Sequence, residues 1–235
     1  MTTTTPPNAK RQRTNDHGYE KDSIRAMLLQ IRDSETEKEA EEAMEALSDL
    51  MKNDSGEALL LQYSKDIFNS NGVPTTLIAL SRWFQSRVFA FDAIRVLASI
   101  TCYEPKSREV ITDIGGIRLL LNAVLQHAQD STVAVIGIVT LDNIAFTLPK
   151  EVNSERCIDF VMEAMKKHET TETIQELGCN YFAKISKHES TKEKLQNKGI
   201  ISLLPAIVEK SRRKNDEVFK SATNVLKLFL EAFWD

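Results

Sequence analysis

Glycine and proline are scarce in this 235-residue chain, at 8 and 6 residues. An all-β fold needs many tight turns, and so few turn formers leave little material for them, which favours helix. Cysteine is scarcer still. Cys102, Cys157 and Cys179 are widely spaced, form no CxxC pair and have no histidine at metal-ligand spacing. That pattern argues against a metal site and for buried thiols in a reducing compartment. No apolar run has the length of a membrane span, and the start has no apolar core of the kind a secretory leader carries. Positive charge is not in excess: net charge is −4 and the isoelectric point about 5.7. Such a balance gives no general pull toward nucleic acid or an anionic membrane.

Signatures of chemistry are missing too. There is no GxGxxG, no GxxxxGK[ST] and no serine or cysteine in a nucleophile motif. The four histidines, His17, His127, His168 and His188, fall in the polar start or near predicted helix ends, where the helix dipole favours them. His127 beside Asp130 therefore reads as a helix terminus and not as a catalytic dyad. The expectation is a protein with no catalytic residue, no metal and no cofactor.

What is present is a repeat. "GIRLLLNAV" (116–124) matches "GVPTTLIAL" (72–80) and "GIISLLPAI" (199–207), and "CIDFVMEAM" (157–165) matches without the glycine. The starts are about 41 to 44 residues apart, a period typical of stacked helical units. A second signature follows each first one: "FAFDAIRVLASI" (89–100), "VAVIGIVTLDNI" (133–144), "IQELGCNYFAKI" (174–185) and "VFKSATNVLKLF" (218–229). It has an apolar residue at zero, a small one at plus four (Ala93, Gly137, Gly178, Ala222) and large apolar ones at plus eight and plus eleven. Those offsets draw one stripe along a helix, and the small residue lets a neighbour approach closely. A degenerate earlier copy has Ala43, Leu47 and Leu50 at the same offsets from Glu39.

The organisation expected is all-α. A polar segment, 1–22, buries too little to offset its ordering entropy and is expected to be disordered. Within it, Lys10 to Arg13 resembles a minimal nuclear-import signal, so the cytoplasm, and with that signal the nucleus, is the expected location. Capping helices are expected over 23–56, and helical units over about 57–104, 105–148, 149–188 and 189–235. Short helices precede the Gly-type turn near 57–70, 106–114 and 190–197. Ser131 with Thr132, and Asn215 with Asp216, open two of the striped helices. Pro74 fits a first helical turn, whereas Pro205 either delays its helix or kinks it.

The segment "VITDIGGIRLLLNAVLQHAQDSTVAVIGIVTLDNIAF" (110–146) resembles an armadillo-like repeat unit over its whole length, and "LQNKGIISLLPAIV" resembles the first half of one. The resemblance implies a right-handed α-solenoid of about four helical units that is non-catalytic and binds protein partners along a groove lined by the third helices. It also implies an asparagine at plus ten of each third helix, holding the backbone of an extended peptide. Here plus ten reads Asp49, Ser99, Asn143, Lys184 and Leu228, and only Asn143 conforms. The expected partner-binding residues are those at plus six and plus ten: Arg95, Ser99, Asn143, Asn180, Lys184 and Asn224. Their mixed polarity suggests recognition of side chains, and charge reversal at Arg95 or Lys184 should weaken binding without lowering stability.

A second candidate interface is the apolar end of the chain, "VLKLFLEAFWD", with Phe229, Leu230, Phe233 and Trp234. An exposed apolar patch of this kind marks an interface. It supports the alternative of a structural subunit or homodimer docking through its last helix. A third reading, an RNA-binding helical repeat, is weakened by the acidic balance and by the absence of an aromatic ladder. The basic stretch "KSRRK" (210–214) is read as a solvated loop between helices and the acidic run 33–47 as the polar face of a capping helix.

Overall fold

A computed structural model describes residues 21–52, 56–212 and 216–230. Among them all regular structure is helical: thirteen α-helices and no strand. They are α1 (Lys21–Asp33), α2 (Glu37–Asp49), α3 (Glu57–Asn69), α4 (Gly72–Trp83), α5 (Arg87–Tyr103), α6 (Lys106–Asp113) and α7 (Gly116–Gln126). The second half has α8 (Ser131–Thr147), α9 (Glu155–Lys167), α10 (Glu172–Ile185), α11 (Glu189–Asn197), α12 (Ile200–Ser211) and α13 (Asp216–Leu230). α1 begins at Lys21, two residues inside the polar segment expected to be disordered. The rest of that segment, with Lys10 to Arg13, lies outside the described residues.

Local chemistry sets the helix starts. Thr36 and Glu39 form a reciprocal capping box on α2, Ser86 caps α5 and Ser154 caps α9, each side chain satisfying an orphan backbone N–H. On α8 the cap is Asp130, one residue earlier than the sequence suggested. α12 runs through Pro205, so the proline does not delay its start.

The Gly-type turn is a left-handed corner between two helices. Asn71 (φ 63°), Gly115 (φ 71°) and Gly199 (φ 81°) occupy it before α4, α7 and α12, a conformation that favours Gly or Asn. This exposes a register slip. Gly199 corresponds to Gly115 and not to Gly116, so the last copy of the pattern is shifted by one residue, and Ala206 is exposed where Ala79, Ala123 and Ala164 of the other copies are buried. The copy without glycine has no short helix before it, hence no corner to turn, and Ser154 caps α9 directly.

The helices pack in two files. The striped helices follow one another as α2, α5, α8, α10 and α13, each against the next. The second file holds α1, α4, α7 and α9, with α1 packed on α4, α4 on α7 and α7 on α9. The stripe is the seam between the files. Ala43, Leu47, Leu50, Phe89, Ala93, Leu97, Ile100, Val133, Leu141, Ile144, Ile174, Phe182, Ile185, Val218, Ala222 and Phe229 are all buried, and Leu226 is partly so. Between α9 and α12 the second file opens into a hollow of about 470 Å³ bordered by Met165, Leu203, Ala206 and Val218.

The small residues at plus four admit side chains from the other file. A Cβ on Gly137 would stand 2.6 Å from Cγ1 of Val124 on α7 and 3.1 Å from Cζ of Phe160 on α9. On Gly178 it would meet the sulfur of Met165 at 2.3 Å. Val124 is β-branched, stiff and fully buried, whereas a methionine side chain swings aside. Gly137→Ala is therefore expected to destabilise by about 1–3 kcal/mol through overpacking, while Gly178→Ala is offset by the roughly 1 kcal/mol that alanine contributes to a helix. Thermal melts of the two variants check this, and equal losses would contradict it.

Candidate functional site

The striped helices run parallel. Arg87, at the start of α5, pairs with Asp130 at the start of α8, and near their ends Asn143 of α8 reaches Ala98 and Thr101 of α5. Partial burial opposes ionisation of Asp130, but hydrogen bonds from Thr132, Arg87 and the backbone of Thr132 and Val133 overcome it and hold its pKa at about 2. The side of each striped helix turned away from the seam forms a broad face. Plus six and plus ten lie along it, one turn apart.

The structure divides the six expected binding residues into two groups. Arg95, Asn143 and Lys184 are occupied between neighbouring helices. The Arg95 guanidinium donates to Ser48 of α2 and to Asp92, 3.0 Å away, lies 3.7 Å from Asp49 and rests on Phe91. Asn143 Nδ2 donates to the Ala98 carbonyl at 3.1 Å and to Thr101 Oγ1 at 3.2 Å. Lys184 pairs with Asp142 of α8. Burial pushes the Asp92 carboxyl above its ordinary value, against the pull of Ser48 and Arg95; it does the same to Asp142, against Lys184. The one conforming asparagine thus holds backbone of its own chain. Charge reversal at Arg95 or Lys184 would disturb the fold, contrary to the sequence-based expectation.

The second group is open. Asn180 and Asn224 border a hollow of about 320 Å³ between α10 and α13, together with Ala183, Lys184, Lys187 and Leu228. Asn224 and Lys187 are exposed, and Ser99 is half-buried on the same face of α5. Sequence reasoning missed Lys187 and Phe146. The line through plus six and plus ten continues to plus thirteen, where Cys102, Phe146 and Lys187 stand, and that spacing could have found them.

The apolar end of the chain resolves differently from the expectation. Phe229 is completely buried in the core because it is the plus-eleven residue of the last stripe, so it is not an interface residue. Leu230, one position on, is 46% exposed. Phe233 and Trp234 lie outside the described residues.

The opposite edge shows a second ladder, on the C-terminal ends of the other file. Arg82 of α4 donates to the carbonyls of Arg32 and Ser34 after α1. His127 Nε2 is 2.9 Å from the Phe84 carbonyl at the end of α4, and His168 Nε2 is 3.2 Å from the Ala128 carbonyl beyond α7. Each satisfies a backbone carbonyl at or just beyond the C-terminal end of the preceding helix in the file. Both histidines are thereby engaged with backbone, and no group of three or more His, Cys, Asp and Glu side chains suited to a metal occurs among the described residues. No helix there is long and apolar enough to cross a membrane.

No family model matches the chain, and no curated protein matches it.

Proposed function

We propose that this chain is a non-catalytic protein-binding module: a right-handed α-solenoid of about four armadillo-like units that holds a partner protein along the concave face of its striped helices, the side turned away from the seam. The observation that carries this reading is the single parallel file of striped helices, α2–α5–α8–α10–α13. A file of that kind presents one continuous face built from equivalent positions of successive helices, the surface that helical arrays use for binding. The open end of the face, at the hollow between α10 and α13, offers amide groups from Asn180 and Asn224, an ammonium from Lys187 and apolar contact from Leu228. That mixture suits side-chain recognition better than a uniform backbone ladder.

The test uses residues without a structural burden. Lys187→Glu combined with Asn224→Lys changes the face, and Ile78→Ser with Leu125→Ser, exposed on α4 and α7, serves as a control on the other file. Affinity purification with mass spectrometry is expected to lose the same specific partner with the first pair and keep it with the second, both pairs melting near the wild type because exposed substitutions cost within about 0.5 kcal/mol. Recovery of identical partners with all three proteins would contradict the reading.

A further inference from the structure

Arg108, the third residue of α6, is 7% exposed. Its Nε donates to the Thr101 carbonyl at 2.8 Å and its Nη1 reaches Thr147 Oγ1 at 3.4 Å. Nη2 donates to no atom among the described residues. Among the described residues the buried polar side-chain atoms without a partner belong to Ser64, Ser70, Thr76, Trp83, Ser107 and Thr223 and not to Arg108, so Nη2 is open at the surface. No carboxylate among the described residues forms an ion pair with this guanidinium. Burial lowers its pKa, the expected sign for a cation taken out of water without a counter-charge. Directly beside it is Phe146, 72% exposed, with the guanidinium carbon 5.7 Å from the ring centroid.

Each half of this arrangement is unfavourable alone. A mostly buried cation without a counterion forfeits hydration, and a largely exposed phenyl ring at the end of a helix is a candidate contact surface. A ligand with a carboxylate close to a large aromatic group would relieve both: the carboxylate on the free Nη edge, the aromatic group against the Phe146 ring. This chain carries such a segment, Glu231, Ala232, Phe233, Trp234 and Asp235, with two carboxylates flanking two aromatic rings. It follows Leu230, itself exposed.

We propose that the Arg108–Phe146 pair receives residues 231–235 of a second copy of this chain, with a carboxylate on Arg108 and an aromatic ring on Phe146. A chain's own segment would reach its own site only nearly fully extended, with its side chains bridging what the backbone cannot. Phe146 stands near the end of α8 and Leu230 at the end of α13, and one further striped helix, α10, lies between them. Neighbouring helices are about 8–10 Å apart, so the gap is about 18 Å, whereas the three or four residues to Phe233 and Trp234 span about 10–14 Å at most. Exchange between two copies closes the contact on both sides and buries both apolar patches. The pairing does not depend on the partner reading above: loss of that partner with the Lys187 and Asn224 pair leaves self-association untouched.

Light scattering after size exclusion, over about a hundredfold range of micromolar concentration, tests the pairing. The wild-type mass is expected to rise toward twice the 26.6 kDa of the chain. Phe146→Ser, on an exposed side chain, and Glu231→Lys with Asp235→Lys are each expected to weaken association by at least about tenfold, and a synthetic peptide of residues 228–235 to return the wild type to a monomer. A wild type that stays monomeric throughout, or a dimer indifferent to Phe146→Ser and to the peptide, overturns the proposal.

Discussion

Arg95→Glu is expected to lower stability by about 3–5 kcal/mol, the usual result of breaking one partner of a largely buried charge network. The side chain is 23% exposed, and Asp92, its nearest carboxylate partner, only 8%. Replacing the guanidinium removes its hydrogen bond to Ser48 and leaves a glutamate between Asp92 and Asp49. In a chain of this length such a loss corresponds to a fall in melting temperature of about 6–20 °C. The pH dependence carries a definite sign. Burial already holds the folded-state pKa of Asp92 above its ordinary value, so its ionised form lowers stability above that pKa, and the cost disappears as pH falls below the unfolded value. Without Arg95 this effect grows, and the deficit of the variant is expected to narrow as pH is lowered into the carboxylate range. Thermal melts at neutral and mildly acidic pH measure both. A variant that melts with the wild type would show Arg95 free to serve a partner.

That expectation reverses what the sequence suggested for Arg95, and the reason is physical. Periodicity locates a residue on a helix face: plus six and plus ten lie on the face turned away from the seam, and the stripe at zero, four, eight and eleven is buried apart from Leu226, which is partly so, and Glu39 of the degenerate first copy, which is exposed. Periodicity carries no information about where a long side chain turns once it leaves that face. Arg95 and Asn143 reach back to residues 42–47 positions earlier, and Lys184 reaches 42 positions back to Asp142. Those partners are set by the offset between adjacent helices in the file, which a single sequence does not display. Asn180 and Asn224 face a gap between α10 and α13 and were left open by the same geometry.

The turns were legible for a different reason. A left-handed corner accepts few residue types, so Gly199 and the Gly115–Gly116 pair marked two of the turns, whereas Asn71 at the third carried no such mark. The one-residue slip at Gly199 was not legible. Both registers put Leu204 and Ile207 at packing positions, and only the backbone at Gly199, with φ 81°, shows which holds.

Phe229→Ala is expected to cost about 3–5 kcal/mol, the range for truncating a fully buried phenylalanine. Two features of the sequence competed at this position. One was the stripe, which makes Phe229 the plus-eleven residue of the last striped helix. The other was the apolar run at the end of the chain, which made it a candidate interface residue. The stripe prevailed because α13 packs on both α10 and α12, and the ring is 0% exposed within a single chain. The two roles give different concentration dependence. A residue that stabilises an interface shifts melting temperature with protein concentration by mass action, whereas a residue in the core of one chain lowers it equally at every concentration. Leu230→Ser is the internal comparison: its side chain is 46% exposed one position further on, and within a single chain its substitution costs no more than about 0.5 kcal/mol. A large, concentration-independent loss for Phe229→Ala beside a small one for Leu230→Ser at low concentration assigns Phe229 to the core. If the Phe229→Ala deficit vanished as concentration rose, the phenyl ring would belong to an interface after all, and the packing of α13 on α10 and α12 would need revision.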